Sequence, residues 1–220
     1  MTYLELVNEV LIRMREDTVT SVGASRLTLT DDPVVDIVKL AVNDAKELAE
    51  KAHQWNALRT DWTITTVAGT HTYPLVGSSY SASVESVYDN RGIALRNVPL
   101  STIHKKAAVS TADNHPMYWA VSGADSNGDL QVRLFSTPNA EVEISVHGFT
   151  RSAPLDTNSD RLLIPAQPVI YYAFALASRE RGETGGAQAA ELFAMAEQYL
   201  KDAIAVDAAV TDLDNDWIVR

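Results

Sequence analysis

Residues 55–75 read WNALRTDWTITTVAGTHTYPL, and the hydrophobic period changes in the middle of this stretch. Ahead of it, Val34, Val38, Ala41, Ala45, Leu48, Ala52 and Trp55 advance by alternating steps of four and three. From Trp62 the repeat becomes every second residue, placing Trp62, Ile64 and Thr66 on one face. Val67, Ala68, Gly69 and Thr70 then supply a turn, and residues 71–75 (HTYPL) read as the returning strand of a hairpin. Helices repeat every 3.6 residues and strands every two, so the switch marks a border between a helical layer and a β layer.

Upstream of that border the signals are helical. Thr2 followed by Glu5 has capping-box spacing, and Tyr3, Val7, Val10 and Met14 form a stripe widened by Leu6 and Leu11, which predicts a helix over 3–16. Residues 17–31 (DTVTSVGASRLTLTD) carry no stripe and read as an extended connection. Asp32 and Pro33 then restart the helix, an acceptor at the N-cap followed by proline where a missing N–H costs nothing. This second helix is expected to last to about Ala57, supported by Glu47 and Lys51 one turn apart.

Downstream, residues 61–149 are β in character. Residues 83–88 (SVESVY) alternate, residues 89–92 (DNRG) turn, and 93–96 continue the strand. Residues 99–102 (PLST) open one or two helical turns through Lys106. Three further strands fall at 116–122, 130–135 and 142–149, separated by GADSNGD and STPNA, both dense in turn formers. The last third returns to helix. A segment from near Pro168 is apolar on one side through Val169, Tyr172, Ala173, Leu176 and Ala177 and on the other through Ile170, Tyr171 and Phe174. Such a helix is central in its core or lies at a subunit contact. Gly182, Gly185 and Gly186 bound a short connection, and a final helix over 187–208 repeats Ala189, Leu192, Ala196, Tyr199, Ala203 and Val206.

Composition bounds the function. The 220 residues are 46% apolar and 21% charged, ordinary for a soluble globular protein. With no cysteine there is neither a disulfide framework nor a thiolate metal site. Glu5 and Glu9 stand where a signal peptide needs an apolar core, so no targeting segment is expected, and the most apolar run, 169–177, is too short to span a bilayer. The net charge of −11 is spread along the chain: 7 basic and 10 acidic side chains in 1–60, 5 and 8 in 61–149, 6 and 11 in 150–220. No third is basic, which argues against gripping nucleic acid by phosphate neutralisation and is compatible with a surface past which DNA slides.

Catalytic patterns are scarce. Histidines 53, 71, 104, 115 and 147 form no i, i+4 pair, and GxSxG, Walker-type and GxGxxG sequences do not occur. Asp125, Asn127 and Asp129 imitate a calcium loop, but Gly128 sits at its fourth position and Ser136 at its twelfth, so a hairpin loop is the better reading. The sharpest feature is the end of the chain, TDLDNDWIVR. Asp212, Asp214 and Asp216 alternate, and Trp217, Ile218 and Val219 precede Arg220. A frayed terminus accounts for most such tails, yet an apolar cluster left in water makes a poor solubilising spacer and tryptophan is the residue type most enriched among binding anchors, so a disordered end and partner docking both stand as readings.

Taken in order, MTYLELVNEVLIRMRE, the long helix running into WNALRTDWTITTVAGTHTYPL, HPMYWAVSG, DLQVRLFSTPN and SDRLLIP resemble the head-to-tail adaptor (connector) proteins of tailed bacteriophages, also described as tail accessory factors. The resemblance implies no activity, no cofactor and no catalytic residues. It implies a homo-oligomeric ring, usually dodecameric, bound beneath the portal protein at the head–tail junction of the virion. The ring would meet the next tail component (a nozzle, tail tube or stopper) and let DNA through without specific binding. It also implies a C-terminal extension that reaches the portal, a part that Asp212, Asp214, Asp216, Trp217, Ile218, Val219 and Arg220 would play here.

These readings set the expectations. The fold is α+β: an antiparallel helical bundle from 1–60 and 150–210, an inserted antiparallel β domain over 61–149, and an extended tail over 211–220. The function is a structural adaptor, not an enzyme, made in the host cytoplasm without membrane contact. The alternative is a virion-associated peptidoglycan hydrolase or glycan-binding module, built on exposed aromatics and a carboxylate pair of the β region.

Overall fold

A computed structural model describes residues 1–109, 115–182 and 187–215, with the side chains of 187–189 and 211–215 left aside. Among the described residues the fold is α+β, with five α-helices and seven strands in two sheets. The chain divides into two compact units: residues 1–57 with 152–220, which hold four of the helices, and residues 58–151, which hold all the strands.

In the helical unit, α1 (Tyr3–Arg13) starts on the expected capping box, with the Thr2 hydroxyl accepting from the Glu5 N–H and Glu5 accepting from the Thr2 N–H. It stops three residues short of expectation at Met14, because Arg15 adopts a positive φ of 61°. The second helix, α2 (Pro33–Ala52), starts on Asp32, whose carboxylate accepts from the Val34 N–H. It ends before Ala57: His53 turns extended, and the buried Trp55 folds back to donate from its indole Nε1 to the Ala49 carbonyl. The buried stripe of α2 is also not the expected one. Leu48 and Ala52 are exposed, whereas Val35, Val38, Ala41, Val42, Ala45 and Ala49 are buried together with Lys39, Lys46 and Glu50.

Those buried charges hold a strand of chain that returns from the β unit. Lys46 donates to the Ser152 carbonyl at 2.9 Å and lies 3.2 Å from Glu50, which accepts from the Ser152 hydroxyl. Asn43 bonds the backbone of Leu155 in both directions, and Asp156 and Asn158 fasten residues 21–26. Residues 17–31, read as a bare connection, are thus fixed by side chains over 130 positions away, a pairing no local pattern encodes. Helix α4 (Ala166–Glu180) packs on α1, α2 and α5 (Ala187–Asn215), which buries Val169, Ile170, Ala173 and Ala177 and leaves Tyr171, Tyr172, Phe174 and Leu176 partly exposed.

In the β unit, β1 (Arg59–Thr65) carries Trp62 and Ile64 inward, with Thr66 buried just beyond it, as the alternation requires. The expected hairpin is absent. β1 pairs with β7 (Glu143–Phe149), while β2 (Thr72–Pro74) pairs with β6 (Leu130–Phe135) in the other sheet. The turn at Gly69 is present, but it is a corner between sheets. The Tyr73 hydroxyl fixes it, accepting from the Val67 N–H and lying 2.8 Å from the Thr70 carbonyl.

The three-stranded sheet runs β1-β7-β3, with β3 spanning Ser83–Asp89, and the four-stranded one runs β2-β6-β5-β4. It includes β4 (Arg96–Asn97) and β5 (Tyr118–Ala124). Their pairing is parallel, which corrects the purely antiparallel expectation. Parallel neighbours need a crossover, and helix α3 (Leu100–Val109), longer than the one or two turns expected, lies within it. Trp62, Ile64, Val87, Ile144 and Val146 from one sheet and Tyr73, Trp119, Leu130, Val132 and Leu134 from the other share one apolar core. The Asp125 loop is a β-hairpin turn, its carboxylate accepting from the N–H groups of Asn127 and Asp129.

Candidate functional site

The expected site residues divide at Asn215. Asp212 and Asp214 fall on the backbone of α5, which continues to Asn215, so the first half of the supposed extended tail belongs to the helix. Asp216, Trp217, Ile218, Val219 and Arg220 lie outside the described residues.

The described part of α5 shows what the tail grows from. Asp207 ties the helix to the link after α2: its carboxylate accepts from the Asn56 N–H at 3.1 Å and lies 3.1 Å from His53 Nε2, and its carbonyl accepts from the Asn56 side chain. Tyr199 stacks on Tyr171 of α4 at 4.4 Å, and Arg13 of α1 lies over that same Tyr171 ring. Beyond this anchorage the helix is poorly covered. Val206 is 70% exposed and Val210 56% exposed, although the sequence repeat placed Val206 on the packed face. With Pro165, Pro168, Tyr199 and Ala203 they line a shallow groove of about 390 Å³, mostly apolar. The missed signal is a repeat that continues past Val206: Val210, Leu213 and Trp217 follow by steps of four, three and four. An apolar stripe that runs off the packed region toward a chain end is what a docking helix presents to a partner.

A second, polar depression of about 370 Å³ lies on the outer face of the three-stranded sheet, among Arg59, Asp61, Glu85, Tyr88 and His147. β7 register places His147 opposite Asp61, and the imidazole Nδ1 lies 2.5 Å from the carboxylate. Asp61 and Glu85 line this depression together, two carboxylates of the kind a hydrolase would need. However, Asp61 is 78% exposed, and a carboxylate that serves as catalytic acid is raised in pKa by surroundings that exclude water. The most shielded carboxylate of this unit among the described residues, Asp89, is occupied structurally. Burial alone would raise its pKa. Bonds from the Ile93 N–H, the Arg91 guanidinium, His115 and the Arg91 N–H outweigh burial and hold it well below the usual carboxylate range. Among the described residues no cluster of histidines and carboxylates could hold a metal ion, and no helix is long and apolar enough to cross a membrane.

Among the described residues the geometry offers a shallow apolar groove and a polar depression on the sheet. A comparison with family models matches residues 1–217 to the SU10 adaptor protein. The chain belongs to that family. No curated protein matches it. Membership makes the protein a bacteriophage head-to-tail adaptor, a structural component of the virion that works with portal and tail components.

Proposed function

We propose that this adaptor assembles as a ring, dodecameric as in the proteins it resembles, beneath the portal, joining capsid to tail and leaving a channel for DNA. The helical unit, as an antiparallel bundle, forms the wall, and the β unit faces the next tail component. The C-terminal end of α5 and residues 211–220 reach the portal, with Asp212, Asp214 and Asp216 setting approach and Trp217 acting as the apolar anchor. The observation that carries this reading is the family match over residues 1–217. The exposed Val206 and Val210 support the attachment end, since they continue the repeat that ends at Trp217. The net charge of −11 supports free passage of DNA.

In dilute solution the same charge favours a monomer, so the ring is expected on a portal template or at high protein concentration. Imaging of purified adaptor mixed with a portal ring tests this directly: added density in register with the portal is the expected result, and bare portals refute it. A zymogram on cell-wall material tests the hydrolase alternative, with no clearing expected.

A further inference from the structure

Strands β2, β4, β5 and β6 and helix α3 contain not one aspartate or glutamate, in a chain with 29 of them. The strand-borne acids of the β unit all sit on the other sheet: Asp61 on β1, Glu85 and Asp89 on β3, Glu143 on β7. Register brings the basic groups of the acid-free elements to one face. Arg96 pairs with Tyr118 and Arg133 with Ala120, so both arginines lie on the side of the sheet that α3 covers, opposite the core residues Trp119, Val132 and Leu134. Helix α3, anchored by the buried Ile103 and packed on β5 and β6, carries His104, Lys105 and Lys106.

Lys106 Nζ lies 4.8 Å from the Tyr118 ring centroid, and Arg133 Nη1 lies 3.4 Å from His104 Nε2. Among the described residues Arg96, Lys105, Lys106 and Arg133 form no ion pair, and the buried Nε of Arg133 has no hydrogen-bond partner. Cations grouped this way, with no carboxylate paired to them among the described residues, are open to one arriving from outside.

The rest of the chain supplies that chemistry in excess. Residues 1–57 with 152–220 carry 11 basic against 21 acidic side chains, while residues 58–151 carry 7 against 8. A closed ring needs a heterologous contact, in which two unlike patches of one chain meet across each boundary, and charge segregated this way provides an unlike pair.

We infer that the cationic face formed by Arg96, Lys105, Lys106 and Arg133 is the lateral contact of the adaptor, and that it receives the acidic helical unit of a second copy. The inference rests on the ring reading above and names its contact. Long-range repulsion between copies of the same net charge keeps the dilute protein monomeric, and local complementarity acts only once copies are crowded together.

The test is sedimentation of the full chain at high protein concentration, as wild type, as K105E/K106E, and as K51E/K201E, which changes net charge equally on the helical unit. Wild-type self-association should weaken as salt rises. K105E/K106E should weaken it about tenfold or more, and K51E/K201E should leave it far less affected. If both variants associate as the wild type does, the ring survives and this contact is refuted. If the wild type never associates and also fails to decorate portals, the ring reading falls as well. Retention of duplex DNA by the wild type, lost in K105E/K106E, would assign the face to phosphate and overturn the inference.

Discussion

In the helical unit three charged side chains of α2, Lys39, Lys46 and Glu50, lie among its buried residues, whereas the core shared by the two sheets is apolar from Trp62 to Val146. The difference follows from how each unit is drawn from the chain. The β unit is one continuous stretch, 58–151, and its strands find each other through side chains that simply leave water. The helical unit joins 1–57 to 152–220, and α1, α2 and residues 21–26 must each be aligned on the irregular returning segment 152–162. Irregular backbone brings unpaired N–H and C=O groups into the interior, and buried polar side chains are what satisfy them. Apolar burial tells a chain to collapse, while the Lys46, Glu50 and Asn43 bonds to Ser152 and Leu155 also fix which residue goes where.

The harshest way to break the apolar side of this contrast is Gly148→Ala. Gly148 lies on the central strand β7, opposite Thr60 on one side and Val84 on the other. An added Cβ would stand 2.1 Å from the Ser83 carbonyl oxygen and 3.1 Å from the Trp62 ring. Backbone cannot yield as a side-chain tip does, so the variant should lose more than about 4 kcal/mol, with the near-ultraviolet signal of Trp62 and Trp119 collapsing. A melt indistinguishable from wild type would mean that β3 can slide off β7, and that the sheet specifies its register less tightly than its core implies.

The polar side is probed by Lys46→Met. Removing the ammonium leaves Glu50 buried without its cation and costs about 3 kcal/mol, whereas the double variant Lys46→Met/Glu50→Leu should recover much of that loss. Recovery in the melting temperature together with sharper proteolysis of 152–162 would separate stability from alignment. A neutral Lys46→Met would show that the polar clasp contributes nothing, and the contrast between the units would fail.

How legible these features were depends on their range. Local chemistry was read well: the Thr2–Glu5 box, the Asp32–Pro33 start and the strand over 130–135 all stand where the sequence placed them. Period-2 alternation puts Trp62 and Ile64 on a buried face, yet alternation names a face and never a partner, so it suggests a β1–β2 hairpin that the structure splits between sheets. The stripe on α2 failed at Leu48 and Ala52 because the actual buried face includes lysines and a glutamate that a hydrophobic count passes over. At the candidate attachment end, Trp217 was visible as an anomaly, but the exposure of Val206 and Val210 depends on what α4 leaves uncovered. The cationic face was invisible, since Arg96, Lys105, Lys106 and Arg133 come together only through strand pairing in a chain whose net charge is negative.

Acid should sharpen the comparison through Asp89. Its native pKa lies below the ordinary carboxylate value, so as pH falls the unfolded chain takes the proton first. The stabilisation is complete above about pH 4 and disappears as pH drops toward the native value. Asp89→Asn should flatten that acid limb in the tryptophan signal and cost about 1–3 kcal/mol at neutral pH, through the donors it leaves poorly matched. Asp156 and Asp160 of the helical unit are also held low, the first by the Ser25 hydroxyl and Arg26 N–H, the second by the N–H groups of Thr157 and Asp156. The helical signal should therefore lose stability over the same acid range and keep doing so in Asp89→Asn. If Asp89→Asn removes both acid limbs together, the two units unfold as one, and the comparison between them is a matter of composition alone.

The smallest effect on the fold is expected at Trp217. Lys46, Glu50 and Asp207 are tied into the helical unit by named bonds, and the apolar repeat of α5 has left the packed region by Val206, which is 70% exposed. Trp217 continues the same sequence repeat eleven positions further along and is proposed to act in attachment, not in the clasp that aligns α2. Trp217→Ala, or deletion of residues 211–220, should therefore leave the melting temperature unchanged. On the portal the expectation reverses, because an aromatic anchor seated in a partner pocket is worth about 2 kcal/mol or more when truncated, roughly thirtyfold in affinity. Rising salt should weaken attachment of the wild type through Asp212, Asp214 and Asp216 and should matter less once those positions are deleted. Binding of the truncated protein at wild-type affinity would reduce residues 211–220 to a spacer. A melt several degrees lower would place Trp217 against its own subunit, and α5 would then belong wholly to the packed unit.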